Sequence, residues 1–255
     1  MAEHSDRETS GALTRGERAG MLWRSLFLQS VWNQRGMQNV GFCFAMLPLL
    51  HRCGEDKDER SAFLQRHLGF FNTNPTLASY VLGAAAAQEA AGADAASVIS
   101  VKKGLASPLG MAGDALLWGA LRPFAGAVAV LLALGGIVWA PLVLLVIYNV
   151  PHLVLKTRGI GVGAAAGPTG AAELLGPGLR AAVRWTRALA AFAVGLILAR
   201  VVAAGGAVEP WRVLAVVLFF ALAYAAARAR VPGTLVAFGG AVGGVVLLLA
   251  GLNGG

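Results

Sequence analysis

Charge is scarce in this 255-residue chain: Asp, Glu, Lys and Arg together supply 13% of it, against 57% hydrophobic residues. One water-soluble core cannot hide that much apolar surface, which excludes an ordinary soluble enzyme and leaves lipid as the natural solvent. Cysteine is nearly missing. Cys43 and Cys53 stand ten positions apart with no Cys-x-x-Cys and no second pair, so neither a zinc site nor a disulfide framework is implied. The four histidines, His4, His51, His67 and His152, are scattered and show no i, i+4 metal spacing and no nucleophile motif. No metal, no cofactor and no catalytic residue are expected. Gly-x-x-x-x-Gly-Lys-Ser/Thr is absent, and Gly159-Ile160-Gly161-Val162-Gly163 lacks the soluble strand that a dinucleotide fingerprint needs. The N-terminus carries Glu3, Asp6, Glu8 and Glu17 and has no apolar run before Met21. It does not read as a signal peptide, so insertion is expected through internal helices.

What the chain does have is a mean hydropathy of +0.66 and a net charge of +8. Its basic residues sit in small groups between apolar runs, the pattern of the positive-inside rule rather than of nucleic-acid binding. Four segments approach the roughly 20 apolar residues of a spanning helix: 123–148, 185–204, 211–227 and 234–252. Pro141 is expected to kink or split the first. Lys156, Arg158, Arg180, Arg184 and Arg187 make the first connection cytoplasmic by charge, and Arg228 and Arg230 do the same for the third. The region before residue 121 must then cross an odd number of times if the N-terminus is cytoplasmic. Its candidates, 41–50 and 77–91, are too short or too polar for full spans, which points to re-entrant or broken helices lining a cavity.

The expected fold is an all-α polytopic membrane protein. Residues 1–20 read as a disordered cytoplasmic tail, 21–121 as the motif-bearing re-entrant region and 122–255 as the transmembrane region. Residues 22–40 read as one amphipathic helix, with Trp23, Arg24, Trp32 and Arg35 anchoring it either to the leaflet or to a partner subunit. The stretch 164–178, rich in Ala, Gly and Pro, reads as a flexible loop.

Three polar constellations stand out. Phe70-Phe71-Asn72-Thr73-Asn74-Pro75 places Asn before Pro, which forces a turn or helix break and exposes two amides and a hydroxyl. Carboxamides both donate and accept, as a neutral polyhydroxylated ligand requires; a simple helix cap would use the same residues. Lys102-Lys103-Gly104-Leu105-Ala106-Ser107-Pro108-Leu109-Gly110-Met111-Ala112-Gly113-Asp114 reads as a pliable loop before an apolar helix. Asp114 would either cap that helix or, with the lysines, face a cavity in the membrane. Glu89, beside Gln88, is a third polar group that is either at depth or solvated.

Taken in order, these words resemble the IID subunit of the mannose/fructose/sorbose family of bacterial phosphotransferase permeases. Arg24-Ser25-Leu26-Phe27-Leu28-Gln29, Asn33, Arg35, Met37-Gln38-Asn39 and Gly41-Phe42 are similar to the family's opening block. Arg66-His67-Leu68-Gly69-Phe70-Phe71-Asn72-Thr73-Asn74-Pro75 is similar to its central signature, and Val101 to Asp114 to its glycine-rich block; Arg122-Pro123 and Asn149 continue the pattern. Beyond about Gly163 no family words are clear, and Ala106-Ser107 stands where Met-Gly is commoner.

The resemblance implies an inner-membrane subunit that forms a hexose pathway with a IIC subunit, in a higher oligomer of IIC–IID units. Soluble IIAB proteins would carry the phosphohistidines, and no residue of this chain would be phosphorylated. The sugar would be mannose, fructose or a related hexose. Carried onto this sequence, Asn72, Asn74, Lys103 and Asp114 are the expected substrate-binding residues, with Thr73, Pro75, Gly104, Pro108, Gly110 and Gly113 shaping the backbone around them. A non-transporting membrane scaffold that recruits phosphotransfer proteins is the alternative.

Overall fold

The computed structural model describes residues 12–204 and five helical positions beyond them, Leu214, Leu218, Ala221, Leu222 and Ala225; side chains within 168–174 and 201–204 are outside that description. The chain divides into two compact units, 1–197 and 198–255, and the account below concerns the first.

Helix α1 (Arg15–Ser25) starts inside the tail expected to be disordered, because Thr14 and Glu17 form a reciprocal cap. The Thr14 hydroxyl accepts from the Glu17 amide at 3.1 Å, and the Glu17 carboxylate accepts from the Thr14 amide at 2.7 Å. The single amphipathic helix expected over 22–40 is not formed. The Asn33 side chain accepts from the Gly36 amide at 2.7 Å, and Met37 takes a left-handed φ of 58°, so the chain turns here instead of continuing helically. After the turn come α2 (Asn39–Met46), a 3-10 turn (Leu47–Leu49) and α3 (Lys57–His67), whose cap Asp56 accepts from the Asp58 and Glu59 amides.

Helix α4 (Ala78–Ala90) is buried on nearly every side, as its Ala-rich composition permits. Its main neighbour is α7 (Ala140–Leu174). The seam is built from missing side chains: a Cβ on Gly83 would run into the Ile160 carbonyl, one on Gly163 into the Tyr80 carbonyl, and one on Gly159 into Ser79. Gly159 and Gly163 are thus a small-x-x-x-small packing face.

Helix α5 (Ala95–Gly113) is capped by Asp94, which accepts from the Ser97 amide at 2.9 Å. It runs through a π-helical stretch (Asp114–Leu121) into α6 (Arg122–Leu134). The Lys/Gly/Asp block expected to be a loop is therefore helical, and Asp114 sits within a helix instead of capping one. The glycines misled because Gly110 and Gly113 serve close packing rather than a chain turn. The break expected near Pro141 falls at Gly136, whose φ is 79°; Pro141 occupies the first turn of α7, where its missing N–H costs nothing. Helix α7 continues through the expected connection and loop with a kink at Gly167, and α8 (Pro177–Ala204) follows directly. Lys156, expected in a cytoplasmic connection, is instead buried in α7.

Among the described residues three helices are long and apolar enough to span a bilayer: Ala95–Leu134, Ala140–Gly167 and Pro177–Arg200. The chain is an all-helical integral membrane protein. Of the other expected spans, 211–227 is described at five positions only and 234–252 lies outside the described residues.

Candidate functional site

Residues 68–77 run irregularly between α3 and α4, and side chains and backbone from elsewhere in the chain hold that segment in place. Gln38 behaves as a one-residue strand partner: its amide nitrogen donates to the Thr73 carbonyl at 2.9 Å, and its amide oxygen accepts from the Thr73 N–H at 3.1 Å. Asn39 donates to the Leu68 carbonyl at 2.6 Å, and Met37 bridges to Phe71. The opening block of the sequence is thus the brace of the central one.

Two buried lysines secure the ends of the segment. Lys102 on α5 donates to the carbonyls of His67 and Gly69 at 2.8 and 3.0 Å, its ammonium lying 4.6 Å from the Phe42 ring centroid. Lys156 on α7 donates to the Pro75 carbonyl at 3.0 Å and the Ser25 carbonyl at 3.2 Å. Neither faces a carboxylate in these contacts; backbone carbonyl dipoles compensate both buried cations, and for Lys102 the Phe42 and Phe71 rings add to them.

Asn74 makes the connection to α5. Its side-chain oxygen accepts from the Thr76 amide at 3.0 Å, opening α4, while its nitrogen donates to Asp114 at 2.9 Å. A Cβ on Gly113 would collide with the Asn74 amide, and Gly110 lies under Thr73, so these glycines let the segment rest on α5. The Thr73 hydroxyl donates to the Ala106 carbonyl at 2.8 Å, and the Thr76 hydroxyl meets His152 of α7 at 2.7 Å.

Around this contact lies a cleft of about 530 Å³. Asn72, Thr73, Pro75, Gly110 and Asp114 line it, joined by Gln29, Gln38, Ser107, Phe70 and Trp118. Of the residues expected to bind substrate, Asn72 and Asp114 are at the wall and Asn74 is buried directly behind it. Lys103 is not there: α5 turns it outward, and the buried lysine is Lys102. Gly104 and Pro108 likewise lie outside this lining. A helical signal was available for the lysines, since Lys102, Leu105, Leu109 and Gly113 repeat at spacings of three and four and form the buried face. Gln38 carried no comparable mark beyond its place in the opening block. The cleft offers amides, hydroxyls, one carboxylate and two aromatic rings. That set suits a neutral polyhydroxylated molecule, which needs paired donors and acceptors and an apolar face to stack on.

Behind the segment, Glu89 of α4 is at depth and not solvated. It accepts from Arg66 at 2.5 and 2.7 Å and lies 2.8 Å from Nε2 of His67. Burial pushes the Glu89 carboxyl up, yet the Arg66 and His67 hydrogen bonds outweigh it and hold the group below its ordinary value. Burial lowers His67, with the Glu89 hydrogen bond opposing it, so the ring is neutral and its Nε2–H faces the carboxylate. Burial also raises both thiols, Cys53 to about 11. Neither cysteine is poised as a nucleophile.

The PTS system mannose/fructose/sorbose family IID component matches residues 12–247. The chain belongs to this IID family. It is 34% identical over 173 residues to the mannose-specific EIID component of Escherichia coli K12, an alignment covering 66% of this chain and 61% of that protein's length. It is 33% identical to the sorbose-specific EIID component of Klebsiella pneumoniae, covering 74% and 70% of the two chains. With the fructose permease IID component of Bacillus subtilis the identity is 31%, covering 76% and 72%. A solved chain described as the mannose transporter ManYZ in complex with microcin E492 superposes with a TM-score of 0.58 at 32% identity, covering 73% of this chain and 70% of that one. The IID family resemblance carried by the three motif blocks is thereby established, and those blocks are the parts that meet at the cleft.

Proposed function

We propose that this chain is the IID subunit of a phosphoenolpyruvate-dependent sugar phosphotransferase permease of the bacterial inner membrane. With a IIC subunit it forms the path of a hexose such as mannose or fructose, which IIAB phosphorylates on entry. The observation that carries the reading is the Asn74–Asp114 contact, which joins the central and glycine-rich family blocks at one polar cleft within an otherwise apolar chain. In this reading Asn72 and Asp114 offer hydrogen bonds to sugar hydroxyls, and Asn74 sets the position of Asp114. Lys103, turned outward, takes no part in this cleft. Residues up to about 121 form the working part and the later helices anchor it.

The cleft is not enclosed by this chain alone. A second membrane subunit closing it would exclude water and complete the sugar's contacts. The test is to express the chain with its IIC and IIAB proteins and measure both co-purification and uptake of labelled hexose. The IIC subunit is expected to co-purify with wild type, Asn72→Ala and Asp114→Ala alike, while uptake is lost in the two variants. Normal uptake in both would remove the cleft from the pathway. Uptake unchanged on deleting the whole chain, with altered sugar-dependent regulation, would favour a scaffold.

A further inference from the structure

A second groove, of about 570 Å³, lies between α5 and the start of α8 and shares Met111 with the polar cleft. Pro108, Met111, Ala112 and Ala115 form one wall; Leu179 and Val183 form the other. Its edge is unlike its floor. Arg180, Arg184 and Arg187 stand at i, i+4 and i+7, the spacing that puts all three on one face of a helix, and all three line the groove, with no Asp or Glu among its described lining residues. Arg187 donates to the Gly119 carbonyl at 3.1 Å and Arg180 to the Leu175 carbonyl at 3.2 Å. Arg184 makes no hydrogen bond or ion pair among the described residues, and it is exposed.

The level of the groove can be read from the aromatics. Trp118 and Trp185 are exposed, and the Arg122 guanidinium lies 5.1 Å from the Trp118 ring centroid. Exposed tryptophans beside arginines are the pattern of a membrane–water interface, so the arginine edge of the groove fits the headgroup level.

We propose that this groove is a binding site for one anionic phospholipid, an acyl chain lying along Met111, Ala115 and Val183 and the headgroup phosphate on Arg180 and Arg184. An uncovered cationic edge above an apolar floor, at the level where phosphates sit, complements that molecule on both counts. A zwitterionic lipid would satisfy the floor alone, and free phosphate the edge alone.

Native mass spectrometry of the purified, delipidated full-length chain, titrated with phosphatidylglycerol or with phosphatidylcholine of the same acyl chains, tests the proposal. The first phosphatidylglycerol is expected to bind roughly twenty-fivefold more tightly than phosphatidylcholine, and R180Q/R184Q to erase the preference at roughly fivefold per arginine. R180K/R184K should retain part of it. Ala115→Phe, which fills the groove without touching a charge, should weaken both lipids. Equal affinity for the two lipids in the wild type, an unchanged preference in R180Q/R184Q, or unchanged affinity for both lipids in Ala115→Phe overturns the site. Full competition by millimolar inorganic phosphate would replace the lipid by a free anion and overturn it also. A photo-crosslinker at Ala115 in native membranes should give phospholipid adducts; adducts to protein alone would assign the groove to a subunit interface and reject the lipid.

Discussion

Asn74 donates to Asp114 at 2.9 Å across forty positions of sequence, and the other atom of the same amide accepts from Thr76. One side chain therefore opens α4 and fixes the carboxylate of the cleft. Asn74→Ala should lose both hydrogen bonds, the one to the Thr76 amide in the turn before α4 and the one to Asp114, and cost about 1–2 kcal/mol of stability, a fall of a few degrees in thermal unfolding. Asp114→Asn, which keeps a carbonyl acceptor for Asn74, should unfold at the wild-type temperature. A drop as large as that of Asn74→Ala would mean that the carboxylate charge, and not the hydrogen bond, holds the segment.

The two buried lysines should tolerate little. Lys156→Met keeps the stem but leaves the Pro75 and Ser25 carbonyls without a donor, and Lys102→Met does the same to His67 and Gly69. Each is expected to cost about 1–3 kcal/mol, read as a lower unfolding temperature in detergent. Unchanged unfolding in both variants would show that water can replace the ammonium groups.

Acid should weaken the fold in two stages. His67 has a lowered value in the fold, so the unfolded chain takes up the proton first and stability declines as pH falls below the ordinary 6.5. Glu89 is also lowered, so its contribution is present above the ordinary 4.5 and disappears as pH falls through its folded value. Glu89→Gln should cost about 3–5 kcal/mol by leaving Arg66 without its buried partner, and it should remove the lower stage. Unfolding followed from pH 8 to pH 2 checks both statements.

The glycine seam makes a sharper pair. Gly163→Ala puts a methyl group into the Tyr80 carbonyl and should cost about 1–3 kcal/mol, whereas Gly161, two residues away, faces open space. Gly161→Ala should be neutral or stabilise by up to about 1 kcal/mol, because alanine is the better helix former. Equal effects from the two would mean that backbone flexibility, not packing, explains these glycines.

Much of this arrangement could be read from the residues, and the errors share one physical origin. The helical class, the polar first half and the Asn-Pro break before α4 followed from apolar length and from backbone rules that act locally. Gly110 and Gly113 read as loop residues because a glycine that admits a neighbouring segment looks, in one dimension, like one that admits a turn; Gly104 faces open space within α5. Lys103 was chosen over Lys102 for the same reason: within a loop the two are equivalent, and only a helix decides which is buried. The Gln38 brace depends on a contact thirty-five positions away, and no local pattern announces it. The split of α6 and α7 at Gly136 instead of Pro141 shows proline acting as a helix starter where it stands in the first turn.

In the proposed function Asn74 and Asp114 act as one unit at the sugar path, and a double-mutant cycle tests this most directly. Hexose phosphorylation is measured in membrane vesicles holding this chain with its IIC and IIAB proteins, for Asn74→Ala, Asp114→Ala and the double variant. Each single change is expected to lower the rate roughly tenfold or more, with the double variant no slower than the worse single. Wild-type rates in both single variants, or losses that multiply in the double, would contradict it.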